Sequence, residues 1–376
     1  MNSSLPLGVY IHFPFCQRKC AYCDFPSYAG QESRREDYIQ VLLTEIRERS
    51  RQTGSLTVDT VFLGGGTPTV MEARQVAAVL TTLRAAYDVL PEAEITCEIN
   101  PGSLRTDFLM MLKDQGVNRL SFGAQSADEA ELRLLDRVHT WEEVVHSVEM
   151  AREAGFHNIN LDLMTALPGQ GEDSLMKTIR AALALEPSHL SCYSLIIEEG
   201  TPFHQLLARG ELALPEEEAE RAMYWNTAAL LAQHGYEHYE ISNFALPGRR
   251  CRHNENTWRY RDYLGFGASA AGLYRNRRRK NPDDLFDYLK GLPPLIEDLQ
   301  PRDTQFEQLM LALRLREGLS LAAFKARQGL LPRAIWPREI QRHIKGGLLE
   351  ETGGYLRLTD RGYDLMDMVL LDFLPA

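Results

Sequence analysis

Three cysteines lie within eight residues, Cys16, Cys20 and Cys23, in the spacing C-x3-C-x2-C. Thiolates this close in one loop can wrap a single metal centre. Zinc would need a fourth ligand to close a structural site, and His12 is the nitrogen nearest in sequence, although its side chain in a strand need not face the loop. An iron–sulfur cube held by three cysteines instead keeps one iron open to a substrate. The other cysteines, Cys97, Cys192 and Cys251, are scattered through apolar stretches and read as small buried hydrophobes or site-lining residues. Six cysteines in a chain of this size, without a secretory leader, argue against a disulfide framework.

A second group of residues has the right chemistry to hold a polar ligand. Gly64-Gly65-Gly66-Thr67-Pro68-Thr69 follows an apolar run. A dinucleotide fingerprint would need glycine where Thr69 stands, and there is no Walker A pattern, so both nucleotide readings fail. A tight turn after a strand remains. Further along come Glu98-Ile99-Asn100-Pro101, Gly123-Ala124-Gln125-Ser126, Asp162 and Tyr193-Ser194, each at the end of an apolar run. Glu98 or Asp162 alone would pass for a helix N-cap.

The elements that must position these groups alternate over the first 200 residues. Strands are expected at Val9–Phe13, Val58–Leu63, Glu94–Ile99, Val117–Phe122, Asn158–Leu163 and His189–Leu195. Amphipathic stretches at Arg34–Arg49, Ala73–Ala86, Leu104–Lys113, Thr140–Ala154 and Ser174–Leu185 separate them. Six β-α repeats with short connections imply a parallel sheet covered by helices. In such folds ligands sit at the carboxyl ends of the strands, where the cysteines, the glycine run and the polar residues all fall. Pattern alone leaves open whether the sheet is flat or curls into an incomplete barrel. A helix near Pro215–His234 and a short strand near Tyr236–Ile241 follow, then Pro247–Lys280, which reads as functional loop, and a linker-like segment. From about Thr304 short helices, a hairpin turning at Gly353–Gly354 and a last helix suggest a small winged-helix-like α+β domain.

Composition narrows the class. The chain has 376 residues, 44% hydrophobic and 25% charged, with a net charge of −11. That is ordinary globular composition, and the negative balance speaks against nucleic-acid binding. No apolar run is long enough for a transmembrane helix. The N-terminus has no basic residue before its apolar stretch, so a cytoplasmic location is the default expectation.

The cysteine spacing directly after a first strand, with Tyr22 before the last cysteine, resembles the radical S-adenosylmethionine superfamily. The segments YIHFPFCQRKCAYCDF, FLGGGTPT, EINPGSL, NRLSFGAQS, LDLMTALPGQ, IEEGTPF, YEISNFA, CRHNENTW and DYLGFGASA are similar to the branch holding oxygen-independent coproporphyrinogen III oxidases and HemW-type haem chaperones. The resemblance implies an α/β fold: an incomplete parallel (β/α)6 barrel over 1–245, a haem-motif region and linker over 246–302, and the winged-helix-like domain over 303–376. It implies a four-iron four-sulfur cluster on Cys16, Cys20 and Cys23. It also implies S-adenosyl-L-methionine at Tyr10, Tyr22, Gly65, Gly66, Thr67, Glu98, Gln125, Arg137 and Asp162. Carboxylates and amide suit ribose hydroxyls and ammonium, Arg137 suits the cofactor's carboxylate, and Tyr22 would stack near adenine.

Two departures place the chain with the chaperones. The oxidases carry a fourth cysteine where Phe25 stands, and a longer extension than the fifteen residues that precede Cys16 here. The chaperone branch implies binding of haem b and its transfer to haem-accepting respiratory proteins, with a homodimer as a reasonable companion. The haem motif HN-x-x-Y-W is matched by His253, Asn254 and Trp258, with Thr257 in place of its tyrosine. His253 standing alone would be an ordinary loop histidine. The basic run Arg275, Arg277, Arg278, Arg279 and Lys280 would suit haem propionates, peripheral contact with the inner membrane, or simply a solvated loop.

Overall fold

The computed structural model describes residues 5–374; residues 1–4, part of the N-terminal stretch searched for a leader, and 375–376 lie outside the described residues. The chain runs β1 (Leu7–Phe13), α1 (Arg35–Thr53), β2 (Thr57–Gly65), α2 (Ala73–Ala86), β3 (Asp88–Ile99), α3 (Thr106–Asp114), β4 (Arg119–Gln125) and α4 (Glu129–Leu134). It continues through α5 (Trp141–Glu153), β5 (Ile159–Thr165), α6 (Glu172–Ala184), β6 (His189–Ser194), α7 (Pro202–Ala208), α8 (Glu217–Gln233), β7 (Glu237–His238) and β8 (Asn243–Ala245). Strands β1 to β6 pair in sequence order and in parallel.

Alternation along these strands separates two faces. Val9, Ile11, Val61, Leu63, Ile95, Cys97, Leu120, Phe122, Leu161 and Leu163 join one core with the apolar faces of the helices. The alternate positions are largely polar: Tyr10 and His12, Glu94, Thr96 and Glu98, Arg119, Ser121 and Gln125, Asn160 and Asp162. They bond across strands, as Ser121 Oγ to Asp162 Oδ2 at 3.1 Å and His189 Nδ1 to Asn160 Oδ1 at 2.6 Å. The enclosed face is therefore built for polar contents.

The segment expected as loop and linker is ordered differently. It forms α9 (Arg252–Trp258), β9 (Tyr263–Phe266), β10 (Ala271–Tyr274), β11 (Arg277–Lys280), α10 (Leu285–Leu289) and β12 (Leu295–Asp298). Strand β9 pairs with β1 and adds a seventh parallel strand, while β10 to β12 extend the edge as an antiparallel meander. The sheet has twelve strands, in the order β12-β11-β10-β9-β1-β2-β3-β4-β5-β6-β8-β7. Its glycines mark close packing rather than looseness: a Cβ on Gly265 would stand 2.0 Å from the Ala271 carbonyl oxygen. The basic run is β11, and its charges are taken up locally. Arg277 pairs with Asp298, Arg278 with Glu297 and Glu307, Arg279 with Glu45 and Lys280 with Asp283. Each of those four basic side chains thus has an acidic partner of its own.

The C-terminal domain consists of α11 (Pro301–Ala312), β13 (Leu319–Ser320), α12 (Leu321–Gln328), α13 (Pro332–Ile335), α14 (Pro337–Lys345), β14 (Leu349–Thr352), β15 (Tyr355–Leu358), α15 (Asp360–Asp364) and α16 (Met366–Leu371). Its antiparallel sheet, β13-β15-β14, turns at Gly353–Gly354 as expected. It has its own core around Leu309, Phe324, Ile340, Leu356 and Phe373. Among the described residues no helix is long and apolar enough to cross a membrane.

Candidate functional site

The cysteine loop is anchored before any ligand arrives. Cys16 N–H donates to the Tyr28 carbonyl at 3.0 Å, Ala21 N–H to Leu135 at 3.2 Å, and Phe203 N–H to Ala21 at 3.1 Å. The glycine run grips the same loop: Gly66 N–H donates to the Phe13 carbonyl at 2.9 Å and Thr67 N–H to Phe15 at 2.8 Å. A Cβ on Gly66 would meet those two oxygens at 2.7 and 2.6 Å, and one on Gly65, at φ +106°, would fall 2.3 Å from the His12 ring. Gly65 and Gly66 are thus required by the close approach of β2 to His12 and to the start of the cysteine loop. His12 itself is turned away from the cysteines, held between Tyr10 Oη at 2.8 Å and the Pro26 carbonyl at 2.9 Å.

Cys16, Cys20, Cys23, Tyr22, Gly65, Gly66, Thr67, Glu98, Gln125, Arg137 and Asp162 all line one open cavity of about 440 Å³. Tyr10 is the expected cofactor residue that does not; its phenol is engaged by His12 beneath the glycines. All six thiols are free. Burial pushes the Cys16 and Cys23 thiols up, Cys23 to about 11, so a bound cation is what would hold them as thiolates. Among the described residues no three ligating side chains converge tightly enough for a single ion. The thiols ring a cavity instead, as a larger metal cluster needs.

Around them the polar groups are pre-set. Arg137 places Nη1 3.3 Å from Cys20 Sγ, while Nη2 donates to Asn100 Oδ1 at 2.7 Å and to the Gly123 carbonyl at 2.8 Å. In this conformation its Nη1 faces the Cys20 thiol. Thr67 Oγ1 lies 3.6 Å from Cys16 Sγ. Glu98 accepts from Gly65 N–H at 3.0 Å, and burial, reinforced by Asp162, raises its carboxyl to about 8. Gln125 sits at φ +66° next to a register shift in β4 and accepts from Tyr193 Oη at 3.0 Å. Such a strained non-glycine residue at a strand end is a mark of a ligand site. Asn100, Ser121 and Tyr193 also line the cavity, and the polar row Arg119, Ser121, Gly123, Gln125 at period two was the signal in the sequence for β4's share.

The structure does not bring the haem-motif residues onto one surface. Helix α9 closes the amino end of the barrel, its first N–H groups capped by Glu94 from β3: Arg252 at 3.1 Å and His253 at 3.0 Å. His253 is buried, its Nδ1 3.0 Å from Thr60 Oγ1 and its ring against Phe62. Burial, reinforced by Arg119, pushes its imidazolium down to about 4. Asn254 lines an inner cavity. Trp258 faces the C-terminal domain, with the Arg314 guanidinium 4.4 Å from its ring centroid.

A barrel of parallel strands with a C-x3-C-x2-C loop and a polar mouth is the architecture of one broad class of protein. Residues 10–182 match the radical SAM superfamily, and residues 299–365 match the HemN C-terminal domain. A solved structure of coproporphyrinogen III oxidase (HemN) from Escherichia coli superimposes with a TM-score of 0.85, covering 99% of this chain and 90% of that one, at 24% identity; this likeness concerns the fold. The more specific relatives are proteins called heme chaperone HemW. Those of Bacillus subtilis, Lactococcus lactis and Escherichia coli are 36%, 35% and 34% identical, each covering 98% of this chain and 99%, 97% and 98% of the relative. The chain belongs to the HemW family. Membership of the radical SAM superfamily implies a four-iron four-sulfur cluster and S-adenosylmethionine, and the free thiols and polar cavity fit both.

Proposed function

We propose that this chain is a haem chaperone, binding haem b and passing it to haem-requiring respiratory proteins from the cytoplasm. The observation that carries this reading is identity of 34–36% along essentially the full length of several HemW chaperones. Phe25, 59% exposed at the rim of the cysteine cavity where the oxidase pattern has a further cysteine, points the same way.

In this reading Cys16, Cys20 and Cys23 hold the cluster and Arg137 offsets its negative charge through Cys20. Glu98, Gln125 and Asp162 accept from the cofactor's hydroxyl and ammonium groups, and Tyr22 covers one flank. When bound, the cluster supplies an electron and the cofactor a reducible sulfonium. His253 would be the motif's haem contact, available only if α9 left the barrel end, because its Nδ1 is engaged and its ring packed. Asn254 and Trp258 would move with it.

The test is anaerobic titration of the reconstituted chain with haem, alongside incubation with S-adenosylmethionine, a reductant and coproporphyrinogen III. A saturable haem spectrum without protoporphyrinogen is expected. Multiple turnovers to protoporphyrinogen would make the chain an oxidase instead.

A further inference from the structure

Below the cysteine cavity lies a second one, of about 340 Å³, lined by Arg119, Asn160, Asp162, Ser191, Asn243 and Asn254 among others. Arg119 is only 2% exposed, its Nε has no hydrogen-bond partner, and its side chain enters no ion pair among the described residues. A buried, unpaired guanidinium is costly unless something planar and anionic meets it. The nearby carboxylates Glu94 and Asp162 offset its charge, but their hydrogen bonds go to other groups. Glu94 caps α9, and Asp162 accepts from Ser121 at 3.1 Å and Asn160 at 2.8 Å. Asn243 adds a buried Oδ1 without a partner on the same wall.

We propose that Arg119 is a carboxylate receptor in the floor of the barrel, taking an acid group lowered from the cysteine cavity above. A guanidinium fork matches a carboxylate through two parallel N–H donors, and the Asn254 amide, on the same cavity wall while α9 is seated, can complete its shell. The two cavities share Glu98, Ser121, Asp162 and Tyr193 as lining, so only these side chains stand between a ligand seated above and Arg119. The acid has two chemical sources, a propionate of a tetrapyrrole or the amino-acid carboxylate of the sulfonium cofactor. Only the first rests on the haem reading.

The experiment is calorimetric titration of the full chain and Arg119→Gln with sodium propionate, then with haem against haem dimethyl ester, and with S-adenosylmethionine against its decarboxylated form. Saturable propionate binding that weakens at least tenfold in Arg119→Gln is expected. One parent ligand should also lose at least tenfold affinity with its acid group in the wild type and much less in the variant; that ligand is the source. Propionate binding unchanged in the variant overturns the proposal, as does a wild type that prefers neither acid form. Should Arg119→Gln fail to fold, the acid comparisons in the wild type stand alone, and Arg119→Lys, which keeps charge without the fork, is expected to weaken propionate binding. Haem that does not bind sinks the chaperone reading, while the propionate and cofactor arms still decide this one.

Discussion

At the carboxyl ends of the strands half-buried thiols ring an open cavity, and strained Gly65 and Gln125 hold the chain around it. At the amino ends the reverse holds: α9 is pressed into the barrel, and Glu94, Thr60 and Phe62 engage its first turn. The same strands supply both ends. The upper one turns its polar groups onto an open cavity, whereas the lower is closed by the chain itself around the unpartnered Arg119 Nε and Asn243 Oδ1. A barrel of this kind has its affinity written at one end and its stability at the other.

The largest expected effect strikes the upper end alone. Cys20→Ser should abolish the visible absorption of the reconstituted cluster while urea unfolding of the apo chain stays near wild type; a retained band would remove Cys20 from the ligand set. Gly66→Ala crosses from site to scaffold, since its Cβ would press on the Phe13 and Phe15 carbonyls. A loss of about 2 kcal/mol in urea unfolding, together with poor cluster retention, is expected.

Glu94→Gln attacks the lower end. Weakening a charged cap on two buried N–H groups should cost about 1–2 kcal/mol and leave cluster absorbance intact; equal damage to both would erase the contrast between the ends. The smallest effect is a pH dependence. Folded Glu98 keeps its proton to about 8, against an ordinary value near 4.5. Between those values the folded apo chain holds more protons than the unfolded chain, so stability falls as pH rises. Thermal unfolding of Glu98→Gln should lack that part of the decline.

Much of the upper end was legible because it follows simple periods. Alternating β-branched and aromatic runs located β1 to β6 within a few residues, apart from β3, which starts six residues earlier at Asp88, and the cysteine and glycine spacings marked which strand ends carry the site. The segment from Pro247 to about residue 300 was not legible, for physical reasons. The type I′-like turn between β10 and β11 places Arg275 and Asn276 at positive φ without a glycine, and a strand of four basic residues, Arg277–Lys280, looks like solvated loop until its acidic partners on β12 are in view. The glycines of LGFGASA helped the stretch read as functional loop, yet Gly265 and Gly267 are small so that Ala271, His12 and Tyr38 can approach. The motif residues His253, Asn254 and Trp258 were visible as a motif; their separation onto three different surroundings depends on contacts distant in sequence, such as His253 with Thr60 and Trp258 with Arg314.

Trp258 carries a practical consequence. The chain has four tryptophans, Trp141, Trp225, Trp258 and Trp336, and only this one lies on the helix that closes the barrel, with the Arg314 guanidinium of the C-terminal domain stacked on its indole. Its fluorescence is therefore a native gauge of whether that helix is seated. With the other three replaced by phenylalanine, release of α9 should appear as a change in emission wavelength and intensity, timing the opening of the barrel without any added label.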